Sequence, residues 1–140
     1  MKEEIWSRVK AGDEYGFELE DVNRTQFVRY AGAGGDFNPI HHDQSFAEKA
    51  GLPTVFGMGM FTAGVLARVP TEWFGATSVH RYAIRFTSRI WPGDTVSFHG
   101  RVERVYEKDG VPHADLELKA TNQKGEDLIQ AEATVRDWTP

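Results

Sequence analysis

The sequence predicts a protein of the α+β class, in which a curved antiparallel β-sheet wraps around a central buried α-helix. The helix is indicated by residues 58–69, which are apolar nearly all round and carry Arg68 as their one charge. Beyond residue 75 the apolar side chains recur at every second position, which is the period of a half-buried β-strand. Long strands of this kind after one buried helix favour a sheet folded around that helix.

Three shorter elements are predicted before the central helix. Residues 15–20 alternate apolar and polar side chains, which indicates a short strand. Residues 25–32 are typical of a short helix, and the glycines from Gly32 onward should end it. Asp43 is a suitable N-cap for a further helix that continues to Ala50.

The central helix is expected to end at Pro70, because proline disrupts the helix interior. Four strands are predicted after it, at residues 79–88, 95–105, 114–120 and 129–135. The last three should form an antiparallel meander, and the turns between the strands lie at residues 92–94, 108–110 and 124–126. The side chains expected in the core are Met60, Phe61, Val65 and Leu66 of the helix, and Val96, Phe98, Ala114, Leu116, Leu118, Ala120, Ile129, Ala131, Ala133 and Val135 of the strands.

Composition is ordinary for one globular domain, so residues 1–140 are treated as a single domain. The net charge of −5 argues against a nucleic-acid partner, which needs a basic face. The sequence has no cysteine, which excludes disulfides, thiolate metal sites and cysteine nucleophiles. No apolar run approaches the ~20 residues that cross a bilayer, and the N-terminus lacks the apolar core of a secretory signal. We therefore expect a cytoplasmic protein with no membrane partner.

Residues 34–43 are the candidate functional segment. They place Asp36 and His41 on a stretch that begins with two glycines and contains Pro39, so it is a stiff turn and not a regular helix. On such a turn a carboxylate and an imidazole can converge, and together they can act as acid and base on a water molecule. An ordinary polar turn is the alternative, because the same residue types are common in turns.

This segment and those around it resemble the MaoC-like hydratase/dehydratase family, whose members have the hot-dog fold. The family run Gly-Asp-x-Asn-Pro-hydrophobic-His-x-Asp is matched at every defined position by residues 35–43. Residues 58–60, Met-Gly-Met, match the start of the family's central helix, except that Met58 stands where histidine is usual. The resemblance continues through residues 84–87 and 92–94 and covers nearly the whole chain.

The resemblance implies reversible syn hydration of trans-2-enoyl thioesters to (R)-3-hydroxyacyl thioesters. In this interpretation His41 is the main base, and Asp36 positions the water and delivers a proton. The Gly59 N–H at the helix start would stabilise the negative charge on the thioester oxygen. Gly59, Met58 and Asn38 are the predicted oxyanion and substrate-binding residues, although Asn38 is expected mainly to hold the turn. No metal and no cofactor are expected, and the substrate is a thioester of coenzyme A or acyl carrier protein.

Three alternatives remain open from the sequence. The chain could be the catalytic subunit of a heteromeric dehydratase, a hot-dog thioesterase, or a non-catalytic protein that binds acyl thioesters. The thioesterase is disfavoured because residues 57–69 carry no acid, whereas Met58 favours a specialised or inactive member. A homodimer with joined sheets is expected, with a higher oligomer or a heterodimer with a related hot-dog chain as alternatives.

Other side chains carry weaker expectations. A metal site at His42 and Asp43 is disfavoured, because neighbouring side chains point apart. Surface or interface positions are expected for His80, His99 and His113, and ion pairs, more than thioester phosphates, for Arg68, Arg85 and Arg89. Trp73, Phe74 and Trp91 could line an interface or a pocket, and the small residues Ala63, Gly64 and Ala67 hint at a bulky acyl group.

Overall fold

The computed structural model of the chain describes residues 2–138, without the side chains of residues 2 and 3, and this range contains one five-stranded antiparallel sheet. The strands are β1 (Glu14–Leu19), β2 (Val79–Phe86), β3 (Val96–Lys108), β4 (Val111–Asn122) and β5 (Asp127–Arg136). They lie in the order β1-β3-β4-β5-β2, so β1 and β2 are the two edges. The predicted α+β class, the predicted strands and the β3-β4-β5 meander are all confirmed.

Alternation along the strands produces the core. The side chains predicted to face inward from β3, β4 and β5 are all buried, because every second residue of a strand points to the same face. The tight turn between β3 and β4 has positive φ at Asp109 (φ 55°) and Gly110 (φ 75°), as a two-residue hairpin turn requires. This turn lets both strands run past the ends predicted from the sequence.

Five helices occur in residues 2–138: α1 (Lys2–Trp6), α2 (Arg24–Gly34), α3 (Gln44–Lys49), α4 (Gly59–Leu66) and α5 (Arg68–Phe74). Helix α2 runs past the predicted end at Gly32 and stops where Gly35 takes a left-handed conformation (φ 73°). Asp43 caps α3 as predicted, and its carboxylate accepts from the Phe46 N–H at 3.0 Å. Helix α1 was not predicted.

The prediction that Pro70 ends the central helix is wrong. The apolar stretch forms two helices, α4 and α5, that join at Ala67. Pro70 lies in the first turn of α5, where its missing N–H is not needed for a helical hydrogen bond. The sequence pattern could not distinguish one helix that ends at Pro70 from two helices joined at Ala67, since both helices are apolar.

The prediction that the central helix is buried on several sides is also only partly correct. Phe61, Ala63 and Leu66 of α4 are buried, but Met60 is 54% exposed and Gly64 is exposed. The sheet and two aromatic rings of α2 cover the buried side chains, and the face with Met60 and Gly64 stays open. Helix α4 lies beside β2, where the Tyr82 hydroxyl donates to the Ala63 carbonyl at 2.8 Å, and burial raises the pKa of this tyrosine.

Three further expectations are settled by burial and pairing. His113 is buried and not at the surface, because the Tyr106 ring stacks on it and its Nδ1 lies 2.8 Å from the Val111 carbonyl oxygen. Arg68 forms an ion pair with Glu72 at 2.7 Å, as expected for a structural arginine. Phe74 is buried in the core.

Candidate active site

The loop after α2 is held by side-chain hydrogen bonds to its own backbone. The Asn38 side-chain oxygen Oδ1 accepts from the Ile40 N–H at 3.1 Å and so caps a 3-10 turn over Pro39–His41. The Asp36 carboxylate accepts from the Asn38 N–H at 3.3 Å. These local bonds stiffen the bend, and they give Asn38 the turn-holding contact expected from the sequence.

The bend brings Asp36 and His41 together. The distance between His41 Nε2 and an Asp36 carboxylate oxygen is 3.6 Å, slightly too long for a direct hydrogen bond. His41 is 8% exposed, whereas the Asp36 side chain is 47% exposed. The His41 side chain is therefore enclosed by the protein, whereas the Asp36 side chain reaches solvent.

A backbone carbonyl orients the His41 ring from behind. His41 Nδ1 lies 2.7 Å from the carbonyl oxygen of Phe56, and the Phe56 ring packs edge-on against the imidazole at 5.0 Å. Because a carbonyl oxygen can only accept, Nδ1 carries the hydrogen. In the neutral ring Nε2 is then the basic nitrogen, and this nitrogen faces Asp36.

Sequence reasoning did not find Phe56. Its contribution to the orientation of His41 is a main-chain atom, which every residue type supplies, so no side-chain motif could have identified it. The one available signal was its position just before the Gly-Met-Gly-Met segment that opens the central helix.

Phe56 also connects the pair to a second part of the site. A cavity of about 490 Å³ lies at the N-terminus of α4, and its lining includes Phe56, Gly59, Phe86 and Trp91. Asp36 and His41 do not line this cavity, so residues 56–59 form the link between the pair and the helix start. Gly59 begins α4, and its N–H meets no acceptor within residues 2–138.

The glycines before and at the start of α4 are explained by packing. Neither Gly57 nor Gly59 has positive φ, so the backbone conformation does not explain why these positions are glycine. A Cβ on Gly57 would lie 2.6 Å from Ile90 and Phe27 atoms, and one on Gly59 would lie 2.7 Å from the Phe86 ring. Both positions lack room for a side chain because buried or aromatic groups already occupy the space.

Met58 lies in the hydrophobic core. It is 2% exposed, caps α4 without a side-chain hydrogen bond, and accepts from the Phe61 N–H through its carbonyl at 3.0 Å. The turn into α4 therefore forms through the main chain, without the histidine that is usual in the resembling family. A contact between Met58 and substrate stays a prediction.

The remaining candidate residues have other partners. His42 Nε2 lies 3.3 Å from the Phe37 carbonyl oxygen, and Asp43 is the cap of α3. Arg89 lies over the Phe56 ring at 5.1 Å, at the edge of the cavity. Within residues 2–138 there is no group of three or more His, Asp or Glu side chains that could hold a metal ion. No helix in this range has the length and apolar character needed to span a bilayer.

Comparison with known proteins identifies the same family that the sequence motifs resemble. Residues 8–124 match the family described as MaoC like domain. The 3-hydroxyacyl-thioester dehydratase X of Mycobacterium tuberculosis is 44% identical over 70 residues, which are 49% of this chain and 24% of the dehydratase. The chain spans about a quarter or less of the length of the first curated relatives that it matches.

Two solved structures illustrate the similarity of fold. The unliganded R-hydratase PhaJ1 of Pseudomonas aeruginosa has a TM-score of 0.84 at 18% identity, over 93% of this chain and 83% of that one. A chain of the ChsH1-ChsH2 complex of Mycobacterium tuberculosis has a TM-score of 0.76 at 25% identity, over 89% of this chain and 95% of that one.

Proposed function

The chain belongs to the MaoC-like domain family, of hot-dog fold, and we propose that it interconverts trans-2-enoyl thioesters and (R)-3-hydroxyacyl thioesters. The observation that carries the proposal is the 3.6 Å approach of Asp36 to His41, with the imidazole oriented by the Phe56 carbonyl. The dehydratase and hydratase names of its relatives support the same reaction class.

In the proposed reaction a water molecule bridges the Asp36 carboxylate and His41 Nε2. His41 Nε2 removes a proton from the water as the water oxygen attacks C3 of the enoyl group. This proton then passes from His41 to the Asp36 carboxylate, which holds the water and delivers the proton to C2. The water has then supplied hydroxyl to C3 and hydrogen to C2, and both side chains are back in their starting protonation states. Only the elements of water move, so the proposed reaction needs no redox cofactor.

The proposed reaction also needs a group to stabilise negative charge on the thioester oxygen. The Gly59 N–H is a suitable donor, because it begins α4 and has no acceptor within the described part of the chain. A preorganised amide at the positive end of a helix dipole stabilises such charge. Met58 and Asn38 would then support this region through the turn into α4 and the turn before His41.

The test is turnover of crotonyl-CoA, measured as loss of absorbance of the enoyl thioester. Asp36→Asn and His41→Ala should each lower kcat by about 10²–10⁴-fold, because each removes a group that transfers a proton. His99→Ala is the matched control, since His99 lies half exposed on β3 and should leave the rate unchanged. Chiral analysis of the 3-hydroxy acid product checks the (R) configuration.

Two results would contradict the proposal. One is the absence of turnover by the wild-type chain over a range of enoyl chain lengths, alone or mixed with a related hot-dog chain. The other is a wild-type rate in both Asp36→Asn and His41→Ala.

We further propose that the chain forms a homodimer through the open edge of β2. That strand pairs with β5 on one side only, and α4 lies beside it with Met60 exposed. An open sheet edge next to an exposed apolar face is suited to a second copy. The alternative is a heterodimer, since one structural neighbour is the ChsH1-ChsH2 complex. A cytoplasmic location stays a prediction.

A further inference from the structure

Phe86 is a large apolar side chain in an unusual place. It is the last residue of β2, where its neighbour on β5 is Ile129, and it is 52% exposed. Its ring also lines the cavity at the N-terminus of α4. An exposed aromatic ring loses the free energy that its burial would provide. The contacts of the Phe86 ring should therefore explain its position.

The Phe86 ring is packed directly against Gly59. Three ring carbons, Cε1, Cδ1 and Cζ, would lie 2.7, 3.0 and 3.3 Å from a Cβ on Gly59. The ring therefore fills the volume that a side chain at position 59 would otherwise occupy. The ring thus lies beside Gly59, the first residue of α4, and the other aromatic side chains that line the cavity are Phe56 and Trp91.

We infer that Phe86 is a specificity-determining residue that excludes enoyl thioesters branched at C2. The inference rests on the proposed function. A thioester oxygen that accepts from the Gly59 N–H places its carbonyl carbon beside the same ring. C2 is bonded directly to that carbon, so a methyl group on C2 meets the ring, whereas a hydrogen on C2 fits.

Other side chains near the start of α4 would not limit the space at C2 of the substrate in the same way. Thr62 lines the cavity but is a smaller side chain from the second turn of α4, and Met58 is enclosed in the core. Phe86 is the residue that contacts Gly59 closely and also reaches open space. Shortening it should enlarge the cavity next to Gly59 without removing a fully buried group.

The experiment compares kcat/KM for crotonyl-CoA with kcat/KM for 2-methylcrotonyl-CoA. In Phe86→Ala the ratio of branched to unbranched substrate should rise about tenfold or more, in line with the effect of one methyl group on pocket discrimination. Phe86→Leu should give a smaller rise. Phe46→Ala removes a similarly exposed ring on α3 that does not line the cavity, so its ratio should stay at the wild-type value.

The inference is overturned if Phe86→Ala keeps the wild-type ratio, or if Phe46→Ala changes it equally. Circular dichroism and thermal melting verify that each variant is folded. The molar mass in solution is measured for each variant. A ratio that rises only together with a change of mass overturns the inference, because the ring would then act through the contact between subunits.

A binding measurement separates this inference from the proposed function. Calorimetric titration with butyryl-CoA and 2-methylbutyryl-CoA measures selectivity without turnover. If the wild type has no activity but prefers butyryl-CoA, and Phe86→Ala loses the preference, the proposed reaction is wrong and the role of Phe86 stands. If turnover occurs but neither binding nor kinetics depends on residue 86, the reaction stands and the inference is wrong. A wild type that neither turns over nor binds these thioesters overturns both.

Discussion

The His41 imidazole has a defined orientation because both ring nitrogens have a neighbour. The Phe56 carbonyl accepts from Nδ1–H, and the Asp36 carboxylate lies on the Nε2 side. Only Nε2 is free to exchange a proton, so the ring can act as a base without rotating. A substitution of the Phe56 side chain leaves the main-chain acceptor in place, and the orientation therefore does not depend on that ring alone.

At the same scale, packing at Gly57 and Gly59 gives a stability prediction. Gly57→Ala should lower the free energy of unfolding by about 1–3 kcal/mol, because its Cβ meets the buried side chains of Ile90 and Phe27. Gly59→Ala should cost less, since its Cβ meets one half-exposed ring and not two buried side chains. Urea denaturation measures both values.

The contact between Gly59 and Phe86 can be isolated with a double-mutant cycle. In a Phe86→Ala background the cost of Gly59→Ala should disappear, because the atoms it would meet are gone. Additive effects of the two substitutions would show that the ring does not fill the space beside Gly59. Gly57→Ala is the control, and its cost should be the same in both backgrounds.

At the scale of elements, Asp115 ties three strands together. Its carboxylate accepts from Arg104 Nε of β3 at 2.6 Å, from the Thr134 hydroxyl of β5 at 2.8 Å and from the Tyr106 hydroxyl at 3.2 Å. Burial alone would raise the pKa of Asp115, but the bonds from Arg104, Thr134 and Tyr106 and the charge of Arg104 together outweigh it and hold the pKa below its usual value. The charged carboxylate is therefore the form that the folded protein prefers.

The lowered pKa of Asp115 predicts that the free energy of unfolding depends on pH in the acid range. A carboxyl group with a lower pKa in the folded state contributes its stability above the unfolded pKa and loses it as pH falls through the folded pKa. The contribution of Asp115 should thus be complete above about pH 4 and decline below it. Asp115→Asn should lower the free energy of unfolding at pH 7 by about 1–3 kcal/mol and weaken the loss of stability in acid.

Chemical denaturation between pH 7 and pH 3 measures both effects. Glu117→Gln is the matched control, because Glu117 is an exposed carboxylate on the same strand and should change neither quantity. Equal acid sensitivity of Asp115→Asn and the wild type would contradict the assignment of this network to Asp115.

At the scale of the whole molecule, the open edge of β2 and the exposed face of α4 lie side by side. Tyr82 and Phe86 of β2 contact Ala63 and Gly59 of α4, so the edge and the helix present one continuous surface. Met60 is the exposed apolar residue of that helix. This geometry accounts for the incomplete burial of the helix within one copy.

The proposed dimer predicts a solution mass of twice 15.8 kDa by sedimentation equilibrium. Met60→Glu should raise the dissociation constant at least about tenfold, because it places a charge on the joined surface. Val105→Glu is the control, since Val105 is an exposed apolar residue on β3, away from β2. A chain that is monomeric at every concentration, or that responds to Val105→Glu and not to Met60→Glu, would contradict this interface.

Local patterns in the sequence determined the strands and the turn that carries Asp36 and His41. Period-two alternation predicted β2 to β5, and it predicted the buried side chains of β3, β4 and β5, because the pleat of a strand assigns faces by position alone. The approach of Asp36 and His41 was also predictable, since both lie on one short turn that Asn38 and Pro39 stiffen. In each case the residues that make the structure are neighbours in the chain.

Only the tertiary structure decided the contacts between distant segments. The carbonyl that orients His41, the ring that fills the space at Gly59, the burial of His113 and the open face of α4 all depend on how separate elements pack. Every residue type supplies the same main-chain acceptor, and the type of an apolar side chain does not indicate which neighbour it will contact. The sequence therefore predicts which groups are available for chemistry, and packing decides how they are oriented and how much room a substrate has.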